Sequence, residues 1–176
     1  MIVKIFSFLL IIFPFTLVSG PFLTNLSVTL IGLYYIFSLK KSEAKVLFDN
    51  IIVKLIIVFW LYCIIRSLFS INIGLSLESS LFYGRFVFFS LGVALLIHQN
   101  KKIILFFGIS LWVCLTLLTL DGYLQFFTAK NIIGWERFGE NRISSFFGEE
   151  LILGGFLARL MPMAFFFISF NFKNKS

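Results

Sequence analysis

Residues Asp121–Pro162 read DGYLQFFTAKNIIGWERFGENRISSFFGEELILGGFLARLMP, a stretch in which charged and turn-forming residues lie between and inside two strongly apolar segments. The apolar segments, 103–120 and 151–170, are each long enough to cross a bilayer as a helix. Arg159 lies inside the second segment, where an ionisable side chain is unfavourable in hydrocarbon and is usually functional. The pattern therefore predicts two membrane helices joined by a polar loop, with the functional residues in this region.

The composition extends this prediction to the whole chain. Hydrophobic residues make up 60% of the 176 residues and charged residues only 13%, whereas soluble domains contain roughly 25% charged residues. Apolar windows of bilayer length occur at 2–19, 22–39, 51–71, 80–97, 103–120 and 151–170. We therefore predict an all-α polytopic membrane protein, a single domain over residues 1–176 with about six transmembrane helices and one outer loop of about 30 residues at 121–150.

The distribution of lysines predicts the orientation of these helices. Lysines follow the second, fourth and sixth windows, at Lys40, Lys41, Lys45, Lys101, Lys102, Lys173 and Lys175. The loop at 71–79 contains no Lys or Arg, and the 121–150 loop mixes both signs of charge. Because cytoplasmic loops carry the excess of Lys and Arg, we predict that both termini are cytoplasmic and that the 121–150 loop faces outward.

Several other classes of function are disfavoured. The net charge of +7 would suggest nucleic acid in a soluble chain, but here the basic residues lie in short loops between apolar windows. Cys63 and Cys114 each stand alone in an apolar segment, which predicts buried structural thiols and no metal site or disulfide. His98 lies beside Gln99 at a helix end and is expected to be a solvated histidine.

Three arginines lie inside apolar windows on the predicted outer half of the membrane. Arg66 and Arg85 are about five residues from the outer ends of their windows and Arg159 about nine, which corresponds to depths on the order of 7, 7 and 13 Å. Snorkelling to the outer headgroups is an alternative explanation for Arg66 and Arg85. Arg159 is too deep for snorkelling to be its best explanation.

The start of the last window has its own local pattern. Glu149 and Glu150 lie where the positive end of the next helix dipole favours acids. Gly154 and Gly155 allow close approach of a neighbouring helix, and Pro162 interrupts the helical hydrogen bonds a turn after the arginine. We expect a kinked, tightly packed helix with one inward-facing arginine.

These residues together resemble a known family. Asp121 followed by Gln125, an outer loop, and then R-x-S-x-x-F-G-x-E-x-x-x-G-G-F-L-x-R-x-x-P from Arg142 to Pro162 is similar to the O-antigen ligase and O-antigen polymerase superfamily. The likeness is specific over 121–162, and over residues 1–120 it extends only to the number and spacing of the windows. Ser145 stands where the family often has glycine.

The resemblance implies a glycan-joining membrane enzyme without a metal or other cofactor, acting at the outer face of the bacterial inner membrane. It would transfer an oligosaccharide from a polyprenyl diphosphate carrier to a lipid A core or a growing glycan chain, in the biogenesis of lipopolysaccharide or another surface polysaccharide. Arginines suit the diphosphate because their planar fork makes bidentate hydrogen bonds. We therefore predict that the substrate is bound in one outward-opening groove by Arg66, Arg85, Arg142 and Arg159.

The chain also departs from the family. Family members are longer, with further spans and a large outer loop that carries the histidine proposed as general base, whereas the only histidine here is His98 on the predicted cytoplasmic side. The chain is therefore expected to correspond to the amino-terminal half of such an enzyme, with the other half supplied by another chain, and we assign no catalytic residue. A small non-enzymatic membrane subunit, an inactive remnant, and a carrier of lipids or ions are the alternatives.

Overall fold

The structure, a computed structural model, describes residues 2–38, 50–137, 139 and 142–173. These residues form six α-helices, which are α1 (Ile2–Val18), α2 (Pro21–Ser38), α3 (Ile51–Ser67), α4 (Ile73–Gln99), α5 (Lys102–Thr128) and α6 (Leu153–Lys173). A single 3-10 turn, Ser145–Phe147, lies between α5 and α6. The described residues contain no β-strand, so the prediction of an all-α fold is confirmed for them.

Three helices are long and apolar enough to cross a membrane: α2, α4 and α5. Helix α1 and the segment Leu153–Phe167 of α6 are apolar but shorter. Many large apolar side chains point outward, among them Phe82 at 63% and Phe106 at 50% exposure, as expected for a surface that contacts lipid. The chain is therefore a membrane protein, and the figure of about six spans stays a prediction. The predicted cytoplasmic Lys40, Lys41, Lys45 and Lys175 lie outside the described residues.

Two helix boundaries differ from the sequence prediction. Helix α4 begins at Ile73, so the predicted loop at 71–79 is mostly helix. Helix α5 continues to Thr128, so the polar loop starts at Ala129 and its prediction from Asp121 is wrong. Residues 121–128 contain no proline, and their one glycine packs against Leu153, so the helix ends only where Ala129 adopts a left-handed φ of 63°.

The chain divides into two compact units. The first comprises the chain up to Ser7 together with Asn25–Asn100, and the second comprises Phe8–Thr24 together with the chain from Lys101 onward. The four predicted binding arginines are divided between them, with Arg66 and Arg85 in the first unit and Arg142 and Arg159 in the second. The prediction that all four line one groove stays a prediction.

In the first unit, glycines bring helices into close contact with α4. The indole of Trp60 lies against Gly84, where an added Cβ would come within 2.5 Å of the ring. The indole Nε1 of Trp60 donates to the carbonyl of Ser80 at 2.9 Å. Gly92 lies against the backbone carbonyl of Ile31 on α2. Close packing of this kind, with a polar bond across it, is how helices associate where hydrocarbon removes the hydrophobic driving force.

In the second unit, α5 and α6 pack along their length. Leu111 and Leu115 of α5 and Ala164 of α6 form a buried cluster. Trp112 donates from Nε1 to the carbonyl of Ala164 at 2.9 Å, which adds a hydrogen bond between the two helices. At Gly108 an added Cβ would lie 2.8 Å from the Cβ of Phe167, so this glycine sets the helix separation.

The predicted close contact at Gly154 and Gly155 is not found. Apart from the adjacent residues and the backbone of α6 itself, no described atom lies within 4 Å of a Cβ built on either glycine. Helix α6 instead contacts α5 through Leu153, Phe156 and Leu157, which occupy a different face. Helix α6 continues through Pro162.

Candidate functional site

The most polar part of the interior lies in the second unit, at the end of α5. Asp121 and Gln125 are one helical turn apart on the same face of α5, and both are buried, with 1% and 0% of their surface exposed. Burial of two such side chains is unfavourable unless their polar atoms are bonded. Both of them bond to the loop that follows the helix.

Gln125 binds the loop through both the oxygen and the nitrogen of its side-chain amide. Its Oε1 accepts from the backbone N–H groups of Ser144 at 2.9 Å and Ser145 at 2.8 Å. Its Nε2 donates to the backbone carbonyl of Trp135 at 3.2 Å. One side chain thus connects the start and the end of the loop to the helix.

Asp121 binds the same loop with both carboxylate oxygens. Oδ2 accepts from the hydroxyl of Ser145 at 2.6 Å, and Oδ1 accepts from the backbone N–H of Ile132 at 2.9 Å. The hydroxyl of Ser145 also lies 3.3 Å from the carbonyl of Leu118, one turn earlier on α5. No basic side chain among the described residues pairs with this carboxylate, so hydrogen bonds alone compensate its burial.

Asn131 closes the arrangement from within the loop. Its Oδ1 accepts from the backbone N–H groups of Trp135 at 2.7 Å and Ile133 at 3.1 Å, which is the asparagine-stabilised turn expected of this residue type. Its Nδ2 donates to the carbonyl of Ser145 at 2.8 Å. We call the five buried polar residues the loop clamp: Asp121, Gln125, Asn131, Ser144 and Ser145.

Ser145 has an unusual backbone conformation within the loop clamp. Its φ is +52°, in the left-handed region that glycine adopts without strain. Serine is accommodated here because its hydroxyl, N–H and carbonyl are each bonded to a different clamp residue.

The loop clamp holds the backbone next to Arg142, which is exposed. Among the loop's other basic residues, Lys130 pairs with Glu136 at 3.0 Å and Arg137 donates to the carbonyl of Phe126 at 3.1 Å. Arg142 makes no ion pair with any described residue. The loop therefore presents one arginine without an intramolecular partner in the part of the chain that the structure describes.

Arg159 lies on α6 and is exposed, so it does not point into the α5–α6 contact. It instead lines a cavity of about 460 Å³ in the second unit, together with Leu17 of α1, Ile152 and Phe156. Arg159 is the only charged residue in this lining, and within the described ranges it makes no ion pair. The predicted inward-facing arginine is thus corrected to one that faces an apolar cavity beside its helix.

The first unit holds the other two arginines in different surroundings. Arg66, in the last turn of α3, is exposed and lines a second cavity, of about 670 Å³, whose walls are rich in serine. Arg85 is half-buried, with its guanidinium carbon 4.8 Å from the ring centre of Phe86, a distance at which the cation is attracted to the ring. Its Nε is buried and has no hydrogen-bond partner among the described residues.

Among the residues that the structure describes, the other titratable side chains form no catalytic constellation. Glu136 is paired with Lys130, Glu149 and Glu150 are exposed, and Glu140 lies outside the described residues. His98 is exposed in the last turn of α4, as expected. The described residues include no cluster of His, Cys, Asp and Glu that could hold a metal ion.

The two cysteines differ in burial. Cys114 is buried, with its Sγ 3.5 Å from the carbonyl of Pro14, as predicted for a structural thiol. Cys63 is only half-buried, because it lines the open cavity of the first unit, so the prediction of a buried thiol there is wrong.

The sequence pattern did not predict the loop clamp, although all five of its members lie between Asp121 and Pro162. In the sequence, Asp121 and Gln125 contribute only to the family resemblance. The signal that identifies them is the four-residue spacing of two polar side chains in an apolar helix, which places both on one face. Comparison with models of known protein families, with curated proteins and with solved structures finds no match to this chain.

Proposed function

We propose that this chain is a membrane protein that binds the diphosphate of a polyprenyl-linked oligosaccharide, as an O-antigen ligase or polymerase does, for transfer of the glycan to a cell-surface acceptor. In this proposal it lies in the bacterial inner membrane with both termini in the cytoplasm. The diphosphate is bound by Arg159 and by Arg142, at the outer side of the membrane. The participation of Arg66 and Arg85 stays a prediction.

The observation that carries the proposal is the position of Arg159 in its cavity. Arg159 is exposed, and the leucine, isoleucine and phenylalanine side chains around it offer its guanidinium no hydrogen-bond acceptors. An anionic ligand supplies them, and a diphosphate matches the fork of arginine donors. The apolar lining at the same place suits a prenyl chain, so both halves of the carrier lipid have a complementary surface.

The loop clamp supports the same proposal. It fixes the backbone of Ser144 and Ser145, which lie two and three residues after Arg142, and α6 begins eight residues after Ser145. The side chain of Ile143 packs against the cluster of Cys114, Leu118 and Leu153. The backbone beside Arg142 is therefore held by the α5–α6 pair, which is the pair that also carries Arg159.

The test is binding of undecaprenyl diphosphate to the purified chain in nanodiscs. We expect Arg159→Gln to abolish binding and Arg159→Lys to weaken it roughly tenfold or more, because lysine keeps the charge but loses the bidentate geometry. Lys54→Gln is the matched control, since it removes one positive charge from an exposed position on α3. Equal binding by the wild type and Arg159→Gln would overturn the proposal.

A second measurement separates binding from chemistry. We expect the 176-residue chain to bind the carrier lipid without transferring glycan, because its single histidine, His98, is exposed at a helix end and no described carboxylate lies beside Arg159. Replacing His98 by alanine should leave binding unchanged. Glycan transfer by this chain alone would show that a catalytic group is present and would contradict our assignment of none.

A further inference from the structure

The cavity of about 670 Å³ in the first unit has a lining unlike that of the Arg159 cavity. It lies where α3 ends and α4 begins. Its lining includes one cation, Arg66, and seven residues with hydroxyl groups: Ser67, Ser70, Ser76, Ser79, Ser80, Tyr62 and Tyr83. The volume is in the range of about 300–1,000 Å³ typical of small-molecule sites.

The walls of this cavity are held at a fixed separation. Trp60 of α3 lies against Gly84 of α4 and donates to the carbonyl of Ser80. Ser76 donates to the hydroxyl oxygen of Ser70 at 2.7 Å, which connects the first turn of α4 to the chain before it. The hydroxyls are therefore presented by a packed helical hairpin, as a preorganised site requires.

The cavity has unused hydrogen-bonding capacity. Ser67 and Ser80 donate to carbonyls of their own helices, but the hydroxyl of Ser79 makes no hydrogen bond with any described residue. Ser70 accepts from Ser76 and donates to no described group. Arg66 makes no ion pair within the described ranges. The charge of Arg66 and the hydroxyl donors of Ser70 and Ser79 thus face the cavity without a partner among the described residues.

The charge of the lining indicates the charge of the ligand. Glu78 lies on α4 but not in the lining, so the described residues of the lining carry a single positive charge and no carboxylate. A ligand with one negative charge is matched by this lining, and hydroxyls on the ligand are matched by serine, which both donates and accepts. The exposed side chains of Phe69 and Leu75 line the same cavity and offer an apolar surface.

We infer that this cavity binds an anionic phospholipid whose headgroup combines one phosphodiester with free hydroxyls, namely phosphatidylglycerol. Arg66 binds the phosphodiester, the hydroxyls of Ser70 and Ser79 bind the glycerol headgroup, and the acyl chains lie along Phe69 and Leu75. The inference goes beyond the proposed function, because it assigns Arg66 a ligand other than the carrier diphosphate.

The experiment counts the lipids that remain bound to the purified chain by native mass spectrometry, after extraction from nanodiscs of mixed phosphatidylcholine and phosphatidylglycerol. We expect phosphatidylglycerol to be retained selectively and to be reduced roughly tenfold or more by Arg66→Gln. Arg66→Lys should retain an intermediate amount and shows whether loss of charge, and not misfolding, is the cause. Lys54→Gln, a charge change on the same helix, should behave as the wild type.

Two further arms make the assignment specific. Replacing Ser70 and Ser79 by alanine should lower retention of phosphatidylglycerol but not of phosphatidic acid, which lacks the glycerol hydroxyls. Soluble glycerol 3-phosphate should not displace the lipid; displacement would identify a free phosphate ester as the ligand and overturn the lipid assignment. Equal retention by the wild type and Arg66→Gln would overturn it as well.

The carrier-lipid proposal and the phosphatidylglycerol inference can be contradicted independently of each other. Arg66→Gln should still bind undecaprenyl diphosphate, and Arg159→Gln should still retain phosphatidylglycerol. If Arg66→Gln instead lost the diphosphate and kept the phospholipid, Arg66 would belong to the carrier site, as the sequence predicted, and the inference made here would be wrong.

Discussion

Oδ2 of Asp121 accepts a hydrogen bond of 2.6 Å from the hydroxyl of Ser145, whose φ is +52°. A residue with a Cβ in this left-handed region is strained by roughly 1–2 kcal/mol. A hydrogen bond to a charged group contributes about 1.5–3 kcal/mol. The free energy of the hydrogen bond is therefore similar to or larger than the cost of the strained φ. Serine is thus stable in a conformation that glycine would adopt freely.

The first prediction separates these two effects by paired variants. Ser145→Ala loses the bond and keeps the strain, whereas Ser145→Gly loses the bond and relieves the strain. We expect both to be less stable than the wild type, with the glycine variant about 1 kcal/mol more stable than the alanine variant. Thermal unfolding in detergent measures the difference.

The control for this pair is Thr119→Val, which removes a hydroxyl bonded only within its own helix, to Leu115 at 2.8 Å. Its stability should lie within about 0.5 kcal/mol of the wild type. An alanine variant as stable as the glycine variant would show that the φ of Ser145 carries no strain.

The second prediction concerns Gln125. Gln125→Met keeps the size of the side chain but leaves two buried backbone N–H groups, those of Ser144 and Ser145, without an acceptor. We expect destabilisation by about 2–5 kcal/mol and faster hydrogen exchange over residues 142–147, because each orphaned group costs about 1–3 kcal/mol.

The matched control is Gln99→Met, which removes only the exposed acceptor of the Tyr34 hydroxyl at 2.6 Å. It should lower stability by about 1 kcal/mol or less, because water can replace the lost partner. Equal exchange rates in the wild type and Gln125→Met would mean that the loop is not held by this residue.

The third prediction uses two glycines with opposite surroundings. An added methyl at Gly92 would overlap the carbonyl of Ile31, whereas Gly154 has open space around it. We expect Gly92→Ala to destabilise the protein by about 1–3 kcal/mol through overpacking, and Gly154→Ala to be neutral or stabilising by up to about 1 kcal/mol. Thermal unfolding of the two variants, side by side, decides this, and a stable Gly92→Ala variant would contradict the close contact.

The fourth prediction concerns topology. A cysteine at Ile133, which is 64% exposed in the loop, should react with an impermeant thiol reagent added to intact spheroplasts, in a background without Cys63 and Cys114. Asn131 is an unsuitable reporter site because it is buried in the loop clamp. Reaction only after membrane lysis would place the loop in the cytoplasm and remove the basis for an outward-facing site.

The all-α fold and most helix positions followed from apolar windows, because hydrocarbon requires helices to satisfy their own backbone. Windows of bilayer length could not find the true ends of α4 and α5, since both helices continue into more polar sequence at Ile73 and Thr128. The arginines were found because charge is conspicuous in an apolar chain. Their surroundings were not predictable, because the lining of each cavity depends on which faces of its helices meet, and periodicity does not specify that.

Helix α1 has consequences for the order of synthesis. Its Pro14 carbonyl meets Cys114, 100 residues later in the chain, so at roughly 5–20 residues per second α1 is made about 5–20 s before this partner exists. During that interval its hydroxyls need no outside acceptor, because Ser7 donates to the carbonyl of Val3 and Thr16 to that of Phe13. The helix is thus chemically self-sufficient while nascent, and a substitution that gave it an unpaired polar group would be expected to harm membrane insertion before it harmed the finished protein.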